Sequence, residues 1–270
     1  MEEKPSVLRT KRDSSIARCW ELMGTKRVDA VVSAGNTGAV AAAGLFSKLF
    51  LPGVKRPGIA VVIPTMTGPC VLLDVGANSS CKPEHLYQYG VMGAAYARQI
   101  LSIESPQIGL MNIGTEEGKG NELVRDTRDL FKASPYKDNF SGNVEGRDLY
   151  QGSVNVFVCD GFVGNVVLKV SEGRLDMVLH MAAEGVLGSL DAERHLAEQA
   201  IKQLAQKYHH SSFGGAPLLG IDGTCIICHG SSRERAITNA LLRAIQHSDS
   251  HLNDMIIAEL KRFPETTAAG

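Results

Sequence analysis

Aromatic residues make up only 6% of the 270 residues, and neither sign of charge is in surplus, with 28 Lys and Arg against 29 Asp and Glu. The even balance excludes a general nucleic-acid binder, whose phosphate contacts need a basic excess. Scarce rings argue against a stacking platform for single strands. No apolar run approaches the roughly 18 residues of a membrane span, and the N-terminus, MEEKPSVLRTKRD, is charged from its second residue. These absences point to a cytosolic protein. Six cysteines (Cys19, Cys70, Cys81, Cys159, Cys225, Cys228) fall without a disulfide framework, as in a reducing compartment. Also missing are a GxGxxG fingerprint, a GxxxxGK[ST] loop and a GxSxG elbow, so the common dinucleotide, nucleotide and serine-hydrolase templates lack support. No cluster of metal-binding aspartates is evident, and neither a metal nor a cofactor is expected.

One short motif needs separate weighing. Cys225-Ile226-Ile227-Cys228-His229 matches the c-type haem attachment pattern and half of a zinc motif. Its two isoleucines favour a buried strand, in which positions three apart face opposite sides, and no second CxxC completes a zinc site. Both cysteines are read as small apolar side chains.

What is present is a recurring plan of strand, polar turn and helix. A composition that is 44% hydrophobic with 28 glycines can build one large domain or two smaller ones. The plan is clearest in Val154 to Gly173, VNVFVCDGFVGNVVLKVSEG: an apolar strand stops at Asp160, glycines interrupt it, and Asn165 opens an apolar helical segment carrying Lys169. Such a turn leaves backbone N–H groups and the positive end of a helix dipole facing one spot, which suits an anion. The same plan recurs where the strand Ala30 to Val32 runs into Ser33-Ala34-Gly35-Asn36-Thr37-Gly38 and the helix Ala39 to Phe46. It recurs again where the strand Thr224 to Cys228 ends in His229-Gly230-Ser231-Ser232 before the helix Arg233 to Gln246.

Between these lie the apolar strands Ile59 to Ile63 and Val71 to Leu73, a hairpin or neighbours, the second followed by Asp74-Val75-Gly76-Ala77-Asn78. Then come the helix Pro83 to Leu101, the strand Ile108 to Ile113 running into Asn112 to Gly120, the helix Glu122 to Ala133, and a strand or loop from Phe140 to Gly146. Strands ending in small polar residues and followed by helices imply an open α/β sheet, mostly parallel, with helices on both faces. In such sheets ligands lie beyond the carboxyl ends of the strands, so the five polar ends are expected to converge on one cleft. Leu175 to Leu190 reads as a helix with a narrow polar stripe of Asp176, His180 and Glu184. Its apolar remainder suits buried core, or a surface that docks lipid or an acyl carrier. A second amphipathic helix is expected from Ala192 to Tyr208, and Phe213 to Gly220 reads as a turn-rich loop.

SAGNTGA (Ser33 to Ala39), LDVGAN (Leu73 to Asn78), NIGTEEGKG (Asn112 to Gly120), FSGNVEGRD (Phe140 to Asp148), DGFVGNVVLK (Asp160 to Lys169), EG (Glu172-Gly173), GGAPLLG (Gly214 to Gly220) and HGSS (His229 to Ser232) occur in this order. Together they resemble the acyl-ACP:phosphate acyltransferase family of bacterial phospholipid synthesis over nearly the whole chain. The resemblance implies a three-layer α/β/α fold like that of isocitrate and isopropylmalate dehydrogenases, and a homodimer. It also implies a cytosolic enzyme peripheral to the membrane, with Leu175 to Leu190 as a possible contact. The partners would be acyl carrier protein and inorganic phosphate, the product acyl phosphate, and nucleic acid would have no part. The family's opening strand, ending in an Asp-Ala-Met-Gly-Gly-Asp type motif, has no counterpart here, so residues 1–270 are expected to be one acyltransferase domain shortened at its N-terminus. Lys11, Arg12, Ser14 and Ser15 match the family's basic Ser-Ser segment. A short-chain phosphate acetyl- or butyryltransferase using CoA thioesters, and an inactive carrier- or membrane-binding scaffold, are the alternative readings.

Phosphate is already a nucleophile at neutral pH, so the reaction needs an anion held against a thioester carbonyl and donors for the developing oxyanion. Ser33, Asn36, Thr37 and Asn165 are expected to bind phosphate, with Lys169 supplying charge. His229 or Lys119 would support the oxyanion or protonate the leaving thiolate. Asp160, Glu145 and Glu116 would orient cationic groups, and Asp74, Asn78, Asn112, Asn143 and Ser231 complete the expected substrate contacts.

Overall fold

The computed structural model describes residues 13–190, 193–208 and 214–263. In chain order these form α1 (Ser15–Gly24), β1 (Ala30–Ser33), α2 (Thr37–Ser47), β2 (Gly58–Pro64), β3 (Pro69–Leu73), α3 (Pro83–Leu101), β4 (Ile108–Met111) and α4 (Glu122–Ala133). There follow β5 (Phe140–Val144), β6 (Val156–Val158), α5 (Gly161–Leu187), α6 (Arg194–Tyr208), β7 (Ala216–Leu219), β8 (Thr224–Ile227), α7 (Glu234–Asp249) and α8 (Leu252–Lys261). Local chemistry sets several starts. Ser14 caps α1 by accepting the Ala17 N–H at 3.2 Å, and Asn121 caps α4 by accepting that of Val124 at 3.0 Å. α3 opens on Pro83, whose missing N–H would have had no helical partner, with Glu84 in the first turn against the helix dipole. Lys11 and Arg12 lie outside the described residues.

The strands form one sheet in the order β1-β8-β7-β2-β3-β6-β4-β5. β1 and β8 are parallel, as are the neighbours β3, β6, β4 and β5, whereas β7 and β2 run antiparallel to both neighbours. The sheet is therefore mostly parallel, and β2 with β3 is a hairpin. The two parallel blocks point in opposite senses, and their carboxyl ends meet in mid-sheet: Ile227 of β8 pairs with Ala216 of β7, and Leu218 of β7 with Ile59 of β2, next to the Ala60–Leu73 pair that ends β3.

Helices cover both faces, giving three layers. Trp20, Val40, Ile59, Leu72, Phe157 and Ile227 pack together beneath α1, α2 and α5. On the opposite face Leu73, Tyr89, Met92, Leu110, Phe131 and Ile256 form the core beneath α3, α4 and α8, and Ile226 and Cys228 pack under Ala240 and Ala244 of α7. Cys225 sits in the first of these layers and Cys228 under α7, so the pair faces opposite sides of β8 as strand periodicity requires.

Two elements carry weak sequence signals. β7 falls within the stretch whose glycines and Pro217 spell a turn, yet Ala216 and Pro217 pair with β8. α8 is short, but Leu252, Ile256 and Leu260 repeat every four residues and bury against the α3 side of the core. The segment from Gly161 and the helix expected from Leu175 prove to be one 27-residue helix, α5. Nor is it buried core: Phe162, Val166, Val170, Met177 and Met181 form an exposed outer stripe, Phe162 at 66% and Met181 at 62% exposure. The inner stripe, Gly161, Gly164, Leu168, Ser171 and Leu175, faces the other way.

His247 on α7 lies edge-on to Tyr96 with ring centroids 5.2 Å apart, and its Nε2 has no hydrogen-bond partner among the described residues. Burial pushes its pKa down to about 3, with the Arg243 charge adding to the effect. The unfolded chain takes up this proton below pH ~6.5, whereas the folded chain stays neutral down to about 3. Stability is therefore lost as pH falls through that window, by about 1.4 kcal/mol per pH unit. Urea unfolding at pH 7 and pH 5 is expected to give a smaller loss for His247→Phe than for the unaltered chain, by about 2 kcal/mol; equal losses would remove His247 as the cause.

Candidate active site

The site is built around a buried carboxylate. Asp74, fully buried at the end of β3, accepts N–H bonds at Oδ1 from Ile59 (2.9 Å), Gly76 (3.1 Å) and Ala77 (3.0 Å), and at Oδ2 from Asn78 (2.8 Å). Burial pushes its pKa up, while these four backbone donors pull it down. Asn78 is buried beside it and donates through Nδ2 to the Pro57 carbonyl at 2.7 Å and to the Tyr89 hydroxyl at 2.9 Å. The Asp74 carboxylate and the Asn78 amide nitrogen are thus taken up by protein partners. Their effect is to fold residues 75–77 into a tight turn against the start of α5.

That start is satisfied in large part by the protein itself. The Gly161 N–H donates to the Asn78 carbonyl at 2.8 Å, Val163 to Asp160 Oδ1 at 2.9 Å, and Gly164 to the Asp160 carbonyl at 2.9 Å. Asp160 is thus the cap of α5. The protein's own acceptors take three of the first four N–H groups at this turn and leave that of Phe162 unbonded among the described residues, while two stand free at the start of α2. Asn36 caps α2 by accepting the Ala39 N–H at 2.9 Å, and the Val40 N–H reaches the Asn36 carbonyl at 3.0 Å. The N–H groups of Thr37 and Gly38 make no hydrogen bond among the described residues.

Thr37 and Gly38 line a cleft of about 360 Å³ together with Gly76, Asn165, Lys169 and His229. Four expected site residues (Thr37, Asn165, Lys169 and His229) therefore come together, from α2, α5 and the end of β8. Lys169 Nζ lies 2.8 Å from Glu172 Oε2, one turn further along α5. His229 Nδ1 accepts the Ser231 N–H at 3.2 Å and lies 2.6 Å from its hydroxyl. An Nδ1 that accepts a backbone N–H leaves the ring proton of neutral histidine on Nε2, so the imidazole presents a donor.

The remaining expected residues stand elsewhere. Ser33 Oγ accepts the Gly35 N–H at 3.2 Å, within its own turn. Asn112, Glu116, Lys119, Asn143 and Glu145 do not line the cleft. They belong to a separate cluster at the ends of β4 and β5, where Asn112 Nδ2 donates to the Lys119 carbonyl at 3.1 Å and Asn143 Nδ2 to that of Glu116 at 2.9 Å. Glu145 pairs with Arg147 at 2.7 Å. β4 and β5 stand at the far edge of the sheet from β1 and β8, which keeps these ends away from α2. Val61, Leu168, Ala216 and Ser232 also line the cleft. Leu168, Ala216 and Ser232 lie within the quoted motifs DGFVGNVVLK, GGAPLLG and HGSS, whereas Val61 is an apolar strand residue with no sequence signal of a site.

The cleft continues into an apolar groove of about 350 Å³ between β2 and α5, lined by Ile63, Pro64, Met66, Tyr150, Ser171 and Leu175. Both cavities share Val61, Val62, Leu168 and Glu172 as walls.

Close approach of α5 to the Asp74 turn requires a glycine: a Cβ at position 164 would collide with the Asp74 backbone carbonyl oxygen, whereas one at 173 meets nothing within 4 Å. Gly164→Ala is expected to lower the unfolding free energy by about 1–3 kcal/mol in urea titration. Gly173→Ala on the open side should leave it unchanged or raise it by up to about 1 kcal/mol.

The family profile described as "Fatty acid synthesis protein" matches residues 1–255. A phosphate acyltransferase of Acidobacterium capsulatum is 45% identical over 262 residues, covering 96% of this chain and 77% of the relative. One of Syntrophotalea carbinolica is 47% identical over 263 residues, covering 96% and 75%. The fold is shared with a phosphotransacetylase from Streptococcus pyogenes, at a TM-score of 0.61 and 17% identity over 89% of this chain and 68% of that one. It is shared too with a branched-chain phosphotransacylase from Enterococcus faecalis, at 0.55 and 14% over 87% and 79%. At these identities the structural likeness is one of fold alone. The two sequence relatives, matched over nearly the whole chain, place the protein in the fatty acid synthesis protein family, alongside the phosphate acyltransferases.

Proposed function

We propose that the cleft binds inorganic phosphate and the thioester of an acylated carrier protein, and that the enzyme forms acyl phosphate from them. The observation that carries the reading is the meeting of two free N–H groups at the start of α2 with Thr37, Asn165, Lys169 and His229 in one cleft. A helix N-terminus with an ammonium nearby is suited to a phosphate dianion. Thr37 and Gly38 hold the phosphate through backbone N–H groups and the Thr37 hydroxyl, Asn165 donates through its amide, and Lys169 supplies charge once its contact with Glu172 opens. A phosphate oxygen attacks the thioester carbonyl carbon; the C–O bond forms, the C–S bond breaks, and carrier thiolate leaves. His229 Nε2–H is the donor for the oxyanion or for the leaving sulfur. No covalent enzyme intermediate is required, because the attacking oxygen arrives already ionised.

Lys169→Ala and Asn165→Ala are each expected to lower kcat/KM for acyl-phosphate formation about 10–100-fold, a loss of about 1.4–2.7 kcal/mol of transition-state stabilisation. If both variants turn over as fast as the unaltered chain, these roles are wrong. Consumption of phosphate with palmitoyl-ACP but not with acetyl-CoA is the expected preference; the reverse would favour the short-chain reading.

The exposed outer stripe of α5, with Leu196 and Leu204 exposed on α6, supports an apolar contact outside the cleft. A second copy of the chain is the partner we assign to the first half of the stripe, Phe162 to Val170, and the segment Leu175 to Leu190 would bring the enzyme to a membrane surface. Phe162→Asp with Val166→Asp is expected to halve the mass measured by light scattering, and Met177→Asp with Met181→Asp to weaken flotation with anionic vesicles. An unaltered mass would overturn the dimer assignment.

A further inference from the structure

Resting on the acyl-phosphate reading, we propose that the apolar groove between β2 and α5 holds the acyl chain. The thioester lies at Lys169 and His229, and the methylene tail runs past Leu168 toward Pro64, Met66 and Tyr150. The groove is continuous with the cleft through the shared walls Val61, Val62, Leu168 and Glu172, so a ligand whose head occupies one has a path into the other. Asn165, Leu168, Glu172 and Leu175 lie along one face of α5, and the ten helical rises from Asn165 to Leu175 span about 15 Å. Polarity falls along that line, from an amide and an ammonium at the cleft to Leu175 at the far end.

The groove also has little to offer a polar ligand. Its two small hydroxyls are turned to backbone carbonyls: Ser171 Oγ donates to Val167 at 2.6 Å, and Thr65 Oγ1 to Gly68 at 2.6 Å. What remains on those side chains is hydrocarbon, and a saturated chain loses no hydrogen bond by entering. The turn at the far end is held in place. The Met66 N–H donates to the Tyr150 carbonyl at 3.0 Å, and Thr67 Oγ1 to the Gly152 carbonyl at 3.2 Å, tying the β2–β3 turn to the segment after β5. An anchored stop at a set distance from the reacting carbon measures chain length, so Ser171, Leu175 and the turn at Pro64–Met66 determine which acyl groups react.

The test compares hexanoyl-ACP and palmitoyl-ACP with phosphate, using the full chain. Each methylene buried adds up to about fourfold in kcat/KM, the equivalent of about 0.8 kcal/mol, until the groove is full, so the unaltered enzyme should favour palmitoyl strongly. Ser171→Phe places a ring across the groove and is expected to lower the palmitoyl-to-hexanoyl ratio of kcat/KM at least tenfold. Leu175→Ala removes apolar wall instead of filling space and should lower the ratio about threefold, which covers the case of a phenylalanine variant that does not fold. An unchanged ratio in folded variants overturns the groove assignment. Calorimetric binding of palmitoyl phosphate separates the two claims: weaker binding to both variants sustains the groove even if no acyl-ACP turns over, an outcome that would sink only the reaction. Undiminished binding overturns the groove whatever the rates show.

Discussion

Everything at this site depends on one carboxylate giving up its hydration to gather backbone N–H groups. Asp74 draws in donors from its own turn and from Ile59 on the neighbouring strand, so the turn is clamped to β2 as well as to β3. A buried carboxylate is costly unless its lone pairs are filled, and here four backbone donors fill them. With the turn held this tightly, α5 can approach until the backbone at Gly164 meets the carbonyl of Asp74. Asn165 and Lys169 reach the cleft because the helix sits that close.

A second constraint is the reversal of strand direction at β7 and β2. It brings the end of β8 and the start of α2 to the flank of β2, opposite the turn that follows β3. Groups from remote parts of the chain, Thr37, Asn165 and His229, thereby reach one space. The polar ends of β4 and β5, at the opposite edge of the sheet from β1, form their own hydrogen-bonded cluster.

Much of the architecture was legible in residues alone. α3 and α4 begin and end where Pro83, Glu84 and the apolar spacing place them, and the opposed Cys225 and Cys228 follow from a period of two. β7 was not, because Pro217 and its flanking glycines carry turn chemistry that pairing with β8 overrides. The candidate site was legible in part, for a physical reason. Small polar residues at strand ends mark both ligand contacts and caps, and only the fold distinguishes them: Asp160, Asn36 and Ser33 spend their oxygens on neighbouring N–H groups, whereas Thr37 and Asn165 line the cleft. The apolar wall Val61 looks in sequence like any buried strand residue.

The uninterrupted length of α5 ties two surfaces to one rigid body. Its inner stripe walls the cleft and the groove, and its outer stripe, from Phe162 to Met181, faces away from them. A helix of 27 residues without a proline cannot turn one stripe independently of the other. Any body that seats itself on the outer stripe therefore sets the width of the channel behind it, and a substrate that wedges the channel open must push on whatever lies outside. Packing on the far side of this rod and occupancy on the near side are mechanically the same variable.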